Sequence, residues 1–191
     1  MPSMRSLSCL LGAIVVSSCA SAAHHDPIAA VRSYLSSKTH DQAVSFFAPD
    51  YRLWFGKRAG DGIDRAHVAK MLEWDYSLNA RHRIDTITAH GAEVTAQVHE
   101  DNDFSLLIGF PGWDASSTFV VDDEGRIVSQ LYVPTGATDW RPYLDRPLEW
   151  IREHHPDALP RIFPDGKLAQ TAETAREWVA LLREWRAATA Q

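Results

Sequence analysis

The sequence predicts an α+β fold, with helices at both ends and a run of antiparallel strands between them. Three observations carry this reading. Apolar residues recur at helical spacing in Ile28, Val31, Tyr34 and Leu35, and again in Ala175, Trp178, Val179, Leu182 and Trp185. Between these segments Ala92, Val94, Ala96 and Val98 alternate with Glu93, Thr95, Gln97 and His99, the pattern of a strand with one apolar face. Helix-like segments come first, strand-like segments follow, and helices return at the end, which is the chain order of an α+β protein.

Asp26-Pro27 supplies a helix start, Asp as cap and Pro at the first helical position, and the helix runs to Lys38. A short helix after Thr39-His40-Asp41 carries Ala43, Val44, Phe46 and Phe47 and stops at Pro49-Asp50. Tyr51 to Phe55 reads as a strand and Gly56 to Gly62 as a loop. Asp64 caps a helix reaching about Leu78, with Val68, Met71, Leu72 and Asp75 or Tyr76 on related faces. Strands follow over His82 to His90 and Ala92 to Glu100, turning at Gly91. Ser117 to Asp122 and Arg126 to Val133 form a hairpin around Asp123-Glu124-Gly125, where glycine supplies the positive φ of the turn. Pro147 to His155 and Thr171 to Ala188 are helical.

Composition narrows the function classes. The chain has 191 residues, a length suited to one compact domain, and its 10 glycines and 10 prolines exclude collagen-like or low-complexity chains. A net charge of −6 argues against a nucleic-acid partner, which selects for a basic face. Two cysteines, Cys9 and Cys19, exclude a disulfide-rich scaffold.

Both cysteines lie in a segment that reads as an export signal rather than fold. Arg5 gives the positive start, Leu7 to Val16 the apolar stretch, and Ala20-Ser21-Ala22 the small-x-small cleavage pattern. The apolar run is too short to span a bilayer stably. Val16-Ser17-Ser18-Cys19 also resembles a lipobox, in which the signal ends at residue 18 and Cys19 carries a lipid. The sequence leaves both routes open, and Cys19 is its one membrane attachment point. Cleavage after Ala22 would place histidine third in Ala23-His24-His25, a Cu(II)-chelating arrangement that otherwise reads as a polar stub.

The order of helix, short helix, strand, helix and antiparallel sheet resembles the NTF2-like superfamily, which includes ketosteroid isomerases and SnoaL-like polyketide cyclases. The resemblance covers residues 27–134. It is carried by Phe46-Phe47-Ala48-Pro49-Asp50-Tyr51, by the helix from Gly62 to Asp75, and by Phe119-Val120-Val121-Asp122-Asp123-Glu124-Gly125-Arg126-Ile127. It implies a cone whose curved antiparallel sheet wraps the N-terminal helices and leaves an apolar pocket for a small hydrophobic ligand. Residues 138–191 form a helical extension outside that domain. The position matching the ketosteroid isomerase general base falls on or near Phe55, and that matching its oxyanion acid falls near Ser117. The oxyanion tyrosine corresponds to Tyr34, or by direct alignment to Ser33. Without a base at Phe55, steroid isomerisation by that route is disfavoured. On this resemblance Tyr34, Trp54, Met71, Trp113 and Tyr132 line the pocket.

The catalytic candidates are Asp75, Glu100 and Asp103. His99-Glu100-Asp101-Asn102-Asp103 borders the pocket mouth in a cone fold, where Glu100 or Asp103 acts as general base or the group holds a cation. The other reading is a solvated connection with Asn102 or Asp103 capping a short helix through Phe104, Leu107 and Ile108. Asp75 either faces inward, desolvated with a raised pKa, or pairs with Arg81 or Arg83. Pro111-Gly112-Trp113 presents Trp113 as a lid or as core cover, and Trp150, Trp178 and Trp185 read as packing residues of the extension. Nine histidines form no metal-ligand spacing, and neither a nucleophile elbow nor a phosphate loop occurs, so neither metal nor cofactor is expected. The expected function is binding of a small hydrophobic molecule. The alternatives are a SnoaL-like isomerase, cyclase or hydrolase using a pocket carboxylate, and a non-catalytic module whose sheet face forms a homodimer.

Overall fold

The computed structural model describes residues 25–190. The export signal, Cys9, Cys19 and the His24 position lie outside the described residues. Helix α1 spans Pro27–Leu35, and the Asp26 carboxylate accepts from the Ile28 amide at 2.9 Å, the cap expected of Asp before Pro. Helix α2 is His40–Ser45, capped by Thr39. Strand β1 (Phe47–Phe55) starts four residues earlier than the sequence pattern indicates. Pro49 does not end the preceding helix; it sits in the stretch where the register slips between Phe47 and Arg52, a place where a missing N–H costs the ladder nothing.

A two-residue strand β2 (Ile63–Asp64) leads into α3 (Arg65–Ser77), with Asp64 capping the His67 amide at 2.8 Å. Strands β3 (Arg81–His90) and β4 (Glu93–Asp101) form a long hairpin. Helix α4 (Asp103–Ile108) interrupts before strands β5 (Trp113–Val121) and β6 (Ile127–Pro134). The six strands form one sheet in the order β2-β1-β6-β5-β4-β3. Every pair is antiparallel except β1 with β6. The sheet is therefore mixed, because β1 enters from the helical layer and reaches the last strand alongside rather than through a hairpin.

After the sheet come α5 (Asp145–His154), α6 (Leu159–Ile162) and the long α7 (Ala172–Thr189), whose N-terminus is closed by a Thr171–Thr174 capping box. Two apolar clusters result. One lies between the sheet, α1 and α3, and includes Val31, Tyr34, Tyr51, Val94, Phe119 and Ile127. The other joins the end of α3 and α4 to the C-terminal helices, through Trp74, Phe104, Ile151, Trp178, Leu182 and Trp185. Trp178 and Trp185 are packing residues, as their helical spacing indicates, and Trp150 stacks on His154 at 4.6 Å. Helix α3 belongs to both clusters, Val68 to the first and Trp74 to the second. No helix among the described residues is long and apolar enough to cross a membrane.

Candidate active site

Between the two clusters lies a cavity of about 390 Å³. The strand period of two builds one wall: Leu53 and Phe55 of β1, Val98 and Glu100 of β4, Ser117 of β5, and Gln130 and Tyr132 of β6. Tyr34 and Leu35 come from α1, and Val68, Met71, Leu72, Trp74, Asp75 and Tyr76 from α3. Of the residues anticipated from sequence, Tyr34, Met71, Trp113, Tyr132, Asp75 and Glu100 line the cavity. Trp113 opens β5 and also packs on Phe110, with ring centroids 4.9 Å apart. It therefore both bounds the cavity and covers core.

Two anticipated residues are elsewhere. Trp54 lies between Leu53 and Phe55, so the alternation of β1 turns it away from the cavity. Its indole instead donates to the Gly60 carbonyl at 3.3 Å, lies under the Arg58 guanidinium, and covers Gly62 so closely that a Cβ there would clash. Asp103 is the first residue of α4 and is directed away from the cavity, where Asn79 donates to it at 2.8 Å and Arg81 and Arg183 at 3.2 and 3.4 Å. It ties α4 to α7 and takes no part in lining the cavity. The capping role falls to Asn102, which forms a capping box with Ser105.

The carboxylates that remain are Asp75 and Glu100. Neither arginine suggested as a partner for Asp75 reaches it: Arg81 is held by Asp101 at 2.6 Å and Arg83 by Asp85 at 2.9 Å. Burial, and then the charge of Glu100, push the Asp75 carboxyl well above the usual carboxylate range, so it favours its protonated form. Glu100 stands opposite His82 in the β3–β4 register, with His82 Nε2 3.5 Å from its Oε2. Burial also raises Tyr34, reinforced by Tyr51, Tyr76, Glu100 and Asp75, and raises Tyr132. These phenols keep their protons and remain hydrogen-bond donors.

A polar chain on the sheet side was not legible in the sequence. Tyr51, stacked on Phe47 at 4.0 Å, donates to Gln130 Oε1 at 2.9 Å. That contact orients the amide so that Gln130 Nε2 donates to Ser117 Oγ at 3.3 Å. The Ser117 oxygen thus accepts from the protein, leaving its O–H to donate. The sequence pattern marks His82 only as the start of a strand, and no group of three side chains that could hold a metal occurs among the described residues. The signal that places His82 in the cavity is its cross-strand pairing with Glu100, which needs the register.

The turn before β5 sets Trp113 opposite Glu100 in the β4–β5 register. Gly112 has φ of 104°, and a Cβ there would overlap the Glu100 carbonyl oxygen and the His99 ring. Gly112→Ala is expected to destabilise the protein by about 1–3 kcal/mol, measured by urea unfolding, because both the backbone conformation and the contact are unfavourable.

No protein-family model matches the chain, and no curated protein matches it. Solved structures do match. An NTF2-like protein of unknown function from Cytophaga hutchinsonii is 13% identical, with 63% of this chain and 96% of that one covered and a TM-score of 0.44. A protein of unknown function with a cystatin-like fold from Methylobium petroleophilum is 14% identical, covering 60% of this chain and 79% of its own at a TM-score of 0.47. The epoxide hydrolase/cyclase-like enzyme SalBIII, whose structure is described with pyran ring formation in salinomycin, is 16% identical over 59% of this chain and 92% of its own, with a TM-score of 0.49. The likeness is one of fold. NTF2-like, SnoaL-like and ketosteroid isomerase-like structures all occur among the matches.

Proposed function

We propose that this protein binds a small, mainly apolar molecule bearing a carbonyl or similar oxygen, and shifts a proton on it. The observation that carries this is the pair of carboxyl groups, Asp75 and Glu100, on the wall of one largely apolar cavity, with Asp75 held toward its neutral form. Two acids whose environments separate their protonation states supply a donor and an acceptor at once. In this reading Asp75 gives its proton to the substrate oxygen while Glu100 removes one from carbon. The resulting enol is reprotonated at carbon by Glu100 while Asp75 recovers the proton from its oxygen, so the substrate is isomerised with no net proton change and both carboxyl groups return to their starting states. Tyr34, Tyr132 and Ser117 would donate to the developing oxyanion. The base would be Glu100 on β4, so the absence of an acid at Phe55 would be no obstacle.

The test begins with thermal-shift measurement against neutral ketones and lactones that fit the cavity. Stabilising compounds are then incubated in D₂O, and deuterium uptake next to the carbonyl is followed by mass spectrometry. Uptake that falls about 10²–10⁴-fold in Glu100→Gln is expected. Binding without uptake would reduce the protein to a carrier, and no binding would remove the cavity as its site. Export through residues 1–22 is part of the same proposal, and the intact mass of the mature chain distinguishes cleavage after Ala22 from lipidation at Cys19.

A further inference from the structure

The cavity is not enclosed by the strands and the first three helices alone. Its lining also contains Trp140, Leu168 and Gln170, all from the chain after β6. These residues are held by packing rather than by the sheet. The Phe104 ring, itself on the cavity wall, meets Trp140 edge-on at 6.1 Å and Trp178 edge-on at 5.3 Å. Trp140, Leu168 and Trp113 all pack against the cluster formed with the C-terminal helices. Helix α7 is tied back to the cavity-bearing part of the fold by Arg186, which donates to the Leu107 carbonyl at 2.6 Å, and by Arg183 to Asp103.

Polarity is unevenly distributed around this space. Asp75, Glu100 and His82 come from α3, β4 and β3, whereas the C-terminal segment adds two apolar side chains and one neutral amide. Neither lysine nor arginine is among the lining residues. A ligand carrying a carboxylate would therefore meet Glu100 with no lysine or arginine to offset the repulsion, and the one basic side chain on the wall, His82, already faces Glu100 at 3.5 Å. We infer that the C-terminal extension sets which ligands the cavity accepts: uncharged, elongated molecules whose oxygen function lies toward Asp75 and Glu100 and whose apolar body ends against Trp140 and Leu168. This rests on the reading of the cavity as a ligand site, and adds the orientation of the ligand and the element that limits its length. Gln170, an exposed residue, adds a neutral amide to the same part of the lining.

The experiment uses the full chain and a series of straight-chain 2-alkanones of increasing length, with affinity read from quenching of tryptophan fluorescence. The unaltered protein is expected to show an optimum length. Trp140→Ala should move that optimum to longer chains, and Leu168→Trp should move it to shorter ones. Asp75→Asn should change affinity by a similar factor at every length and leave the optimum in place. Trp140 is only partly buried, and Leu168→Ala serves as a second enlarging variant if Trp140→Ala does not fold. An optimum that stays fixed in folded variants overturns the inference while leaving the cavity as a binding site. Failure of every ketone to bind the unaltered protein overturns the cavity reading, and this inference with it.

Discussion

Replacing Trp178 by alanine is expected to destabilise the protein by about 3–5 kcal/mol, read from urea or thermal unfolding. Trp178 is completely buried at the centre of the C-terminal cluster. Its ring meets Phe104 and Phe163 edge-on at 5.3 and 6.2 Å, and its indole N–H donates to the Ile162 carbonyl at 3.2 Å. Truncation would leave a void that rigid aromatic neighbours fill poorly, and would strand a buried carbonyl. Trp178→Phe keeps most of the volume and loses the hydrogen bond, so its cost should fall well below that of alanine. An equal cost for the two variants would mean that packing is not what holds this helix. Because Phe104 belongs both to this cluster and to the cavity wall, Trp178→Ala should also weaken ligand binding from a distance.

Asp75→Asn is expected to have opposite effects on stability and activity. The folded protein holds the Asp75 proton at pH values where the unfolded chain has released it, because burial and Glu100 raise the folded pKa. The folded state thus binds more protons than the unfolded state across that window. Its stability falls as pH rises above the ordinary carboxylate range, until the raised folded pKa is passed. The favourable contribution is complete below the unfolded pKa and is lost going upward. Asparagine has no charge to desolvate, so the variant should match the unaltered protein at about pH 3 and exceed it in Tm at about pH 8. A variant less stable at high pH would show that Asp75 is ionised and paired in the fold. Under the proposed chemistry the same substitution removes the acid and should lower turnover by about 10²–10⁴-fold. Stability gained where activity is lost is the pattern expected of a group kept in an unfavourable setting for its function.

Much of the scaffold was legible because its signals are local. Asp26-Pro27, Asp64 and Thr171 mark helix starts through bonds to amides two or three residues away, and each sits where expected. The alternation in β4 likewise placed Val94, Ala96 and Val98 inward and carried Glu100 onto the same face. Trp54 and Asp103 show the limits. The resemblance puts Trp54 in the pocket, but β1 pairs regularly with β6 from Arg52 to Phe55, and the residue between Leu53 and Phe55 must point to the opposite face. Asp103 sits three residues beyond Glu100 in sequence, yet the chain has turned from strand into helix and carries it away from the cavity to Asn79, Arg81 and Arg183.

By itself the sequence determined the α+β order of elements, the apolar stripe of α7, and the short list of acids from which a site could be built. Tertiary structure decided which of those acids share a space. It set Asp75 apart from both arginines, paired His82 with Glu100 across two strands, and brought Trp140 and Leu168 back over the cavity. The reason is physical. Caps and periodicities depend on neighbours within about one turn of chain, whereas burial, charge coupling and cavity shape depend on residues that meet only after the sheet register and helix packing are set.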